Sequence, residues 1–211
     1  MKLLWIGIFS AVLIWSGIQP KDYPTWFLEV SPAIAGALIL AFTHQKYPLT
    51  PLVNVLILIH CVILMVGGHY TYAEVPLFDW LKEPLGFERN NYDKLGHFAQ
   101  GFVPAMIARE IILRNRLIDG RAWTHFFVVC FCLALSAFYE LIEWGVALVS
   151  GEAAESFLGT QGYVWDTQSD MGFALLGAVA ALLLLAGAHD RALEQQGHSA
   201  EPDRKQQYMT R

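Results

Sequence analysis

The chain has 211 residues, 55% of them hydrophobic and 16% charged, with a net charge of −5 and a mean hydropathy of +0.39. A soluble domain carries about 25% charged residues, so the deficit points to an integral membrane protein. No basic run stands out, which argues against nucleic acid as a partner. Cys61, Cys130 and Cys132 all lie inside apolar segments, which argues against a disulfide framework and leaves no zinc-finger spacing.

Six apolar runs follow in order. Leu3 to Ile18 is the first, after Lys2. The region before Pro20 lacks a small-x-small cleavage pattern, because Trp15 would stand three residues before a cut after Gly17, so this run is read as an uncleaved span. The second run is Thr25 to Phe42, with Glu29 near its start, and the third is Leu52 to Tyr72, ending in G-G-H-Y-T-Y with His69. The polar connector from Ala73 to Tyr92 carries Glu74, Asp79, Glu83 and Glu88, and two aromatics that suit an interface, Phe78 and Trp80. Pro104 lies inside the fourth run, Lys94 to Leu113, and is expected to kink it or free a carbonyl. A loop with Arg114, Arg116 and Arg121 leads to the fifth run, Trp123 to Val149. The connector from Ser150 to Trp165 has Glu152 and Glu155 but no Lys or Arg. The sixth run, Met171 to Ala188, is rich in Gly and Ala, which lets helices approach closely. The expectation is an all-α polytopic bundle of about six transmembrane helices over residues 1–189, with 190–211 a polar, disordered cytoplasmic tail.

Lysine and arginine set the orientation. The loop after the fourth helix is the most basic and is expected in the cytoplasm, and the connector after the fifth has no basic residue and is expected outside. Alternation then places both termini inside.

This orientation brings unusual residues to one depth. Asp93, His97 and Gln100, spaced by four and three, share one helix face as the fourth span enters from the outside. Asp166 and Asp170 open the sixth. Glu140 and Glu143 lie six to nine residues before the outer end of the fifth, roughly 10 Å of depth at ~1.5 Å per residue. Glu29 and His69 fall near the same level, whereas His125 lies on the inner side. Arg109 and Glu110, at the inner end of the fourth helix, are read as snorkelling side chains.

Charge in a bilayer is costly, about 2.5–3.5 kcal/mol per residue at a helix centre on insertion scales. Clustered carboxylates must therefore share protons, for example through bonds to Gln100 and Gln168, or be neutralised by a cation. Asp93, His97, Glu140, Asp166 and Asp170 are candidate ligands for a divalent metal, Mg²⁺, Mn²⁺ or Zn²⁺. Glu140 and Glu143 are the candidate catalytic bases. Helix capping is the competing reading for Asp93 and Asp166. It does not account for His97 or the Glu140–Glu143 pair, which lie too far into their helices.

The strings N-Y-D-K-L-G-H-F-A-Q-G-F-V-P, S-A-F-Y-E-L-I-E-W and G-T-Q-G-Y-V-W-D-T-Q-S-D-M resemble the YjdF family of bacterial inner-membrane proteins, over essentially all six spans. More distantly, Asp93, Lys94, His97, Glu140, Asp166 and Asp170 fall on positions similar to those of VanZ-like membrane proteins, which are tied to glycopeptide-antibiotic tolerance. Glu143 stands where that pattern commonly has Gln, and the Arg usual before its acidic pair is absent. The resemblance implies a multi-pass protein of the bacterial inner membrane and supplies no reaction.

Three functions remain open at this point. One is an outer-leaflet enzyme acting on a lipid or lipid-linked headgroup through a metal or an acid–base pair, although no G-x-S-x-G or Walker loop is present. The second is a transporter of a proton, cation or small solute, against which the outer depth of the charges weighs. The third is an accessory protein whose polar groups lock helices together. Buried polar pairs in membranes average only ~0.6 kcal/mol, a weak reason for so many acids.

Overall fold

A computed structural model describes residues 2–150 and 160–198. Among these residues the fold is entirely helical, with seven helices: α1 Lys2–Ser16, α2 Tyr23–Thr43, α3 Pro51–Tyr70, α4 Pro76–Leu85, α5 Tyr92–Asn115, α6 Arg121–Ser150 and α7 Asp166–Gln195.

Local chemistry sets several of the ends. Asp22 caps α2 by accepting the Thr25 backbone N–H at 2.8 Å, and Thr50 accepts the Val53 N–H at the start of α3 at 3.4 Å. Each helix carries a proline in its first two positions, Pro24 and Pro51, where the missing N–H costs nothing. Gly86 closes α4 with a φ of 67°, a left-handed turn that favours glycine.

Each of the six apolar runs falls on one helix, with α1 and α3 stopping at Ser16 and Tyr70, two residues short of the expected ends. Four helices, α2, α3, α6 and α7, are long and apolar enough to cross a membrane. The 15-residue α1 is apolar but shorter. The 24-residue α5 has the length but carries too many polar residues to read as a span by composition. The connector read as polar holds a seventh helix, α4. It buries no residue and leaves Leu77 and Trp80 exposed, and Asp79 and Lys82 pair along it at 2.8 Å. The last helix also runs past Ala188, because Leu193 is fully buried and Asp190 pairs with Arg109 at 2.5 Å. The helix ends at Gln195, and residues 199–211, with Glu152 and Glu155, lie outside the described residues.

The bundle is built on α5 and α7. A Cβ on Gly101 would lie 1.7 Å from the Ala174 carbonyl oxygen, and one on Gly177 would lie 2.0 Å from that of Phe98. Only glycine lets the two backbones meet this closely. Val30, Val53 and Met65 join Met106 of α5 in an apolar core. Large apolar side chains point the other way: Phe138, Trp144, Leu183 and Leu184 are exposed, as a surface facing lipid requires.

The far end of α5 corrects one expectation. Arg109 and Glu110 do not snorkel; they are buried. Glu110 accepts from the Thr50 N–H at 2.9 Å, the Thr50 hydroxyl at 2.7 Å and Arg114 at 3.0 Å. Arg109 can only donate, so His189 Nδ1 accepts from it at 2.8 Å and Nε2 donates to Glu110 at 3.1 Å. These groups join the start of α3 to α5 and α7.

Candidate functional site

At the end of the bundle where α5 and α7 begin, Asp93, His97, Glu140, Glu143, Asp166 and Asp170 are all buried, each 8% exposed or less. One helical turn separates Asp93 from His97, and His97 Nε2 lies 3.3 Å from Asp93 Oδ1. The tight α5–α7 contact brings Asp170 Oδ1 to 3.8 Å from the same nitrogen. Ligand atoms of Asp93, His97 and Asp170 all lie within 4.8 Å of one another.

On the other side of the ring, His97 Nδ1 meets Gln100 Oε1 at 3.0 Å. An amide oxygen accepts, so Nδ1 carries the proton and its bond aims the Nε2 edge at the two aspartates. Glu140 Oε1 lies 3.9 Å from Nδ1 and is buried without a hydrogen-bond partner.

Asp166 stands slightly apart. Its Oδ1 takes Arg89 at 2.6 Å and Lys94 at 2.8 Å. Lys94 also reaches Asp170 Oδ1 at 2.5 Å and Asp93 Oδ2 at 3.3 Å. Part of the negative charge therefore has a counter-ion built into the chain. Neither Asp93 nor Asp166 acts as the side-chain cap of its helix: the N-cap positions are Asn91 and Trp165, and neither makes a side-chain cap bond.

Other residues sort by contact. Glu29 is buried and accepts from the Tyr139 hydroxyl at 3.3 Å. His69 turns away, with Nδ1 on the Ser16 carbonyl at 3.0 Å and its ring against Trp15. Gln168 is exposed. Glu143 and Glu29 border a cavity of about 160 Å³ that runs from Asp93 down to Pro104. Sequence reasoning assigned no role to Lys94, Arg89 or Tyr139. The available signals were the D-K pair opening α5 and one arginine in an acidic connector.

An apolar exterior around a buried acid–base interior, with four helices of membrane-crossing length, defines a polytopic integral membrane protein. The family described as "Predicted membrane protein (DUF2238)" matches residues 1–191, and the chain belongs to it. Inner membrane protein YjdF of Escherichia coli (strain K12) is 53% identical over 188 residues, covering 89% of this chain and 90% of the relative. No solved structure matches the chain. The protein is a multi-pass inner-membrane protein.

Proposed function

We propose that the protein holds a divalent metal just beneath its outer membrane surface and acts there on a lipid or other envelope-linked substrate. The observation that carries this reading is the approach of Asp93 Oδ1 and Asp170 Oδ1 to His97 Nε2, at 3.3 and 3.8 Å. Two ligands each ~2.1 Å from one ion can be no more than ~4.2 Å apart, so these spacings suit a shared cation. The unpartnered Glu140 oxygen lies on the Nδ1 side of the ring, outside this group of three. Asp93, His97 and Asp170 would hold the ion, with Glu140 and Asp166 at its margin. When bound, Mg²⁺, Mn²⁺ or Zn²⁺ would polarise a substrate oxygen. Glu143, or Glu140 when it is not a ligand, would take a proton from water or a substrate hydroxyl.

The reading includes six spans with both termini in the cytoplasm, since the basic loop at Arg114, Arg116 and Arg121 sits at the opposite end from the site. Metal content of the purified protein tests it. Wild type should retain near-stoichiometric divalent metal, and His97→Ala and Asp170→Asn should lose it. Metal-free wild type with unchanged stability would remove the proposal.

Transport of a proton or cation is the second reading, favoured by the cavity. Its walls extend from Asp93 to Pro104, eleven residues or roughly 16 Å along the helix, toward the depth at which transporters place their sites. Ion or proton flux in proteoliposomes that vanishes in Glu143→Gln, without metal dependence, would favour it.

A further inference from the structure

The walls of the 160 Å³ cavity come from α2, α3, α5 and α6, with Tyr72 beside them. Three acids border it, Glu29, Asp93 and Glu143, together with Tyr72, Tyr139, His60, His97 and Gln100, and among the described residues no lysine or arginine does. Glu143 is only 8% exposed, yet no described residue donates a hydrogen bond to it. Pro104 adds a further acceptor, because it has no N–H to give the Gln100 carbonyl one turn earlier. The equivalent loss at Pro32 is repaired, since the Ser31 hydroxyl bonds the Leu28 carbonyl at 2.9 Å. Glu143 and the freed Gln100 carbonyl thus lack a donor inside the cavity, and buried acceptors need one.

A bare metal ion does not fit this part of the site. Among the described residues, the atoms that converge to within 4.8 Å belong to Asp93, His97 and Asp170, while Glu29 and Glu143 stand outside that group. The space, about 160 Å³, is well above what a single water molecule needs. Spread carboxylates with aromatic walls suit a cation that is larger than an ion, carries several N–H or C–H donors and has apolar parts for the rings.

We propose that this cavity binds a small organic ammonium group, either the headgroup amine of a phospholipid or a free alkylamine. Glu143 and Glu29 take the ammonium, and Tyr72 and Tyr139 take its methylene side. A second cavity, of about 620 Å³, lies alongside the opening turn of α5 and is bordered by Arg89, Lys94, Phe98 and Phe173. Asp93 faces the first space and its neighbour Lys94 the second. A zwitterionic headgroup could place its amine in one and its phosphate at the other, with acyl chains over the phenylalanines. The inference deepens the substrate half of the proposed function and does not depend on the metal.

Ethanolamine titrated into the full-length protein in nanodiscs of phosphatidylglycerol alone, at constant ionic strength, tests it by calorimetry. Saturable binding is expected, weakened at least about tenfold in Glu143→Gln, as for loss of a charged hydrogen bond. Glu29→Gln serves as the second variant if Glu143→Gln does not fold. Asp170→Asn, which does not border the cavity, should still bind ethanolamine while losing Mn²⁺. Adding phosphatidylethanolamine to the nanodiscs should abolish the ethanolamine heat if the lipid is the ligand, and leave it if a free amine is. No saturable ethanolamine binding, or binding equal in both glutamate variants and wild type, would overturn the proposal. Mn²⁺ binding to the same samples reports separately on the metal reading.

Discussion

Lys94 Nζ lies 2.8 Å from Asp166 Oδ1 and 2.5 Å from Asp170 Oδ1, so a single ammonium ties the opening turn of α5 to that of α7. Removing one partner of a buried ion pair costs about 3–5 kcal/mol, because the remaining charge is left uncompensated. Lys94→Met is therefore expected to lower the unfolding midpoint in chelator, with part of the loss restored by millimolar Mn²⁺ entering the vacated charge position. Thermal unfolding in detergent with EDTA or Mn²⁺ reads both effects. A variant as stable as wild type in EDTA would mean that Lys94 is not the counter-ion.

The α5–α7 contact predicts a sharp contrast between glycines. Gly101→Ala drives its new methyl into the Ala174 carbonyl, whereas a Cβ on Gly172 meets nothing within 4 Å. Gly101→Ala should cost about 1–3 kcal/mol or prevent assembly. Gly172→Ala should be neutral or stabilising by up to ~1 kcal/mol, the helix preference for alanine. Folded yield and melting temperature compare the two.

Glu110 is fully buried and accepts from Thr50, Arg114 and His189 at once. Glu110→Ala leaves these donors unpaired and should destabilise by about 3–5 kcal/mol. The site at the other end should keep its ligand affinity in whatever fraction stays folded. Unfolding by added denaturing detergent, alongside metal binding, separates the two quantities.

The orientation predicts a labelling pattern. In a cysteine-free background, a membrane-impermeant maleimide applied to intact spheroplasts should modify Trp80→Cys, on α4. It should not modify Leu117→Cys, in the basic loop, until the membrane is opened. Both positions are exposed, so accessibility of the side chain itself is not limiting. The reverse pattern would invert the assigned topology and place the acid–histidine site on the cytoplasmic side.

Hydropathy made the long helices legible, because a run of apolar residues has few ways to be satisfied outside a helix in lipid. The ten-residue α4 escaped, since charge and proline break up its apolar residues. Within the site, the Asp93–His97 pair could be read from a spacing of one turn. The nearness of Asp170 could not: it depends on Gly101 and Gly177 bringing two distant segments together, and the sequence signalled that only as a richness in small residues. Lys94 follows Asp93 directly and so leaves the helix on a different side, yet its long stem reaches α7. The Arg109–Glu110 pair was misread because Thr50 and His189 lie 60 and 79 residues from Glu110, beyond any local pattern.

Pro32 of α2 and Pro104 of α5 both border the acid-lined cavity. A proline inside a helix is where that helix flexes with least loss, since a rung of its ladder is already missing. The cavity therefore lies between two ready-made joints. It can widen to admit a guest by local bending of two walls, while the α5–α7 seam on the other side keeps its register.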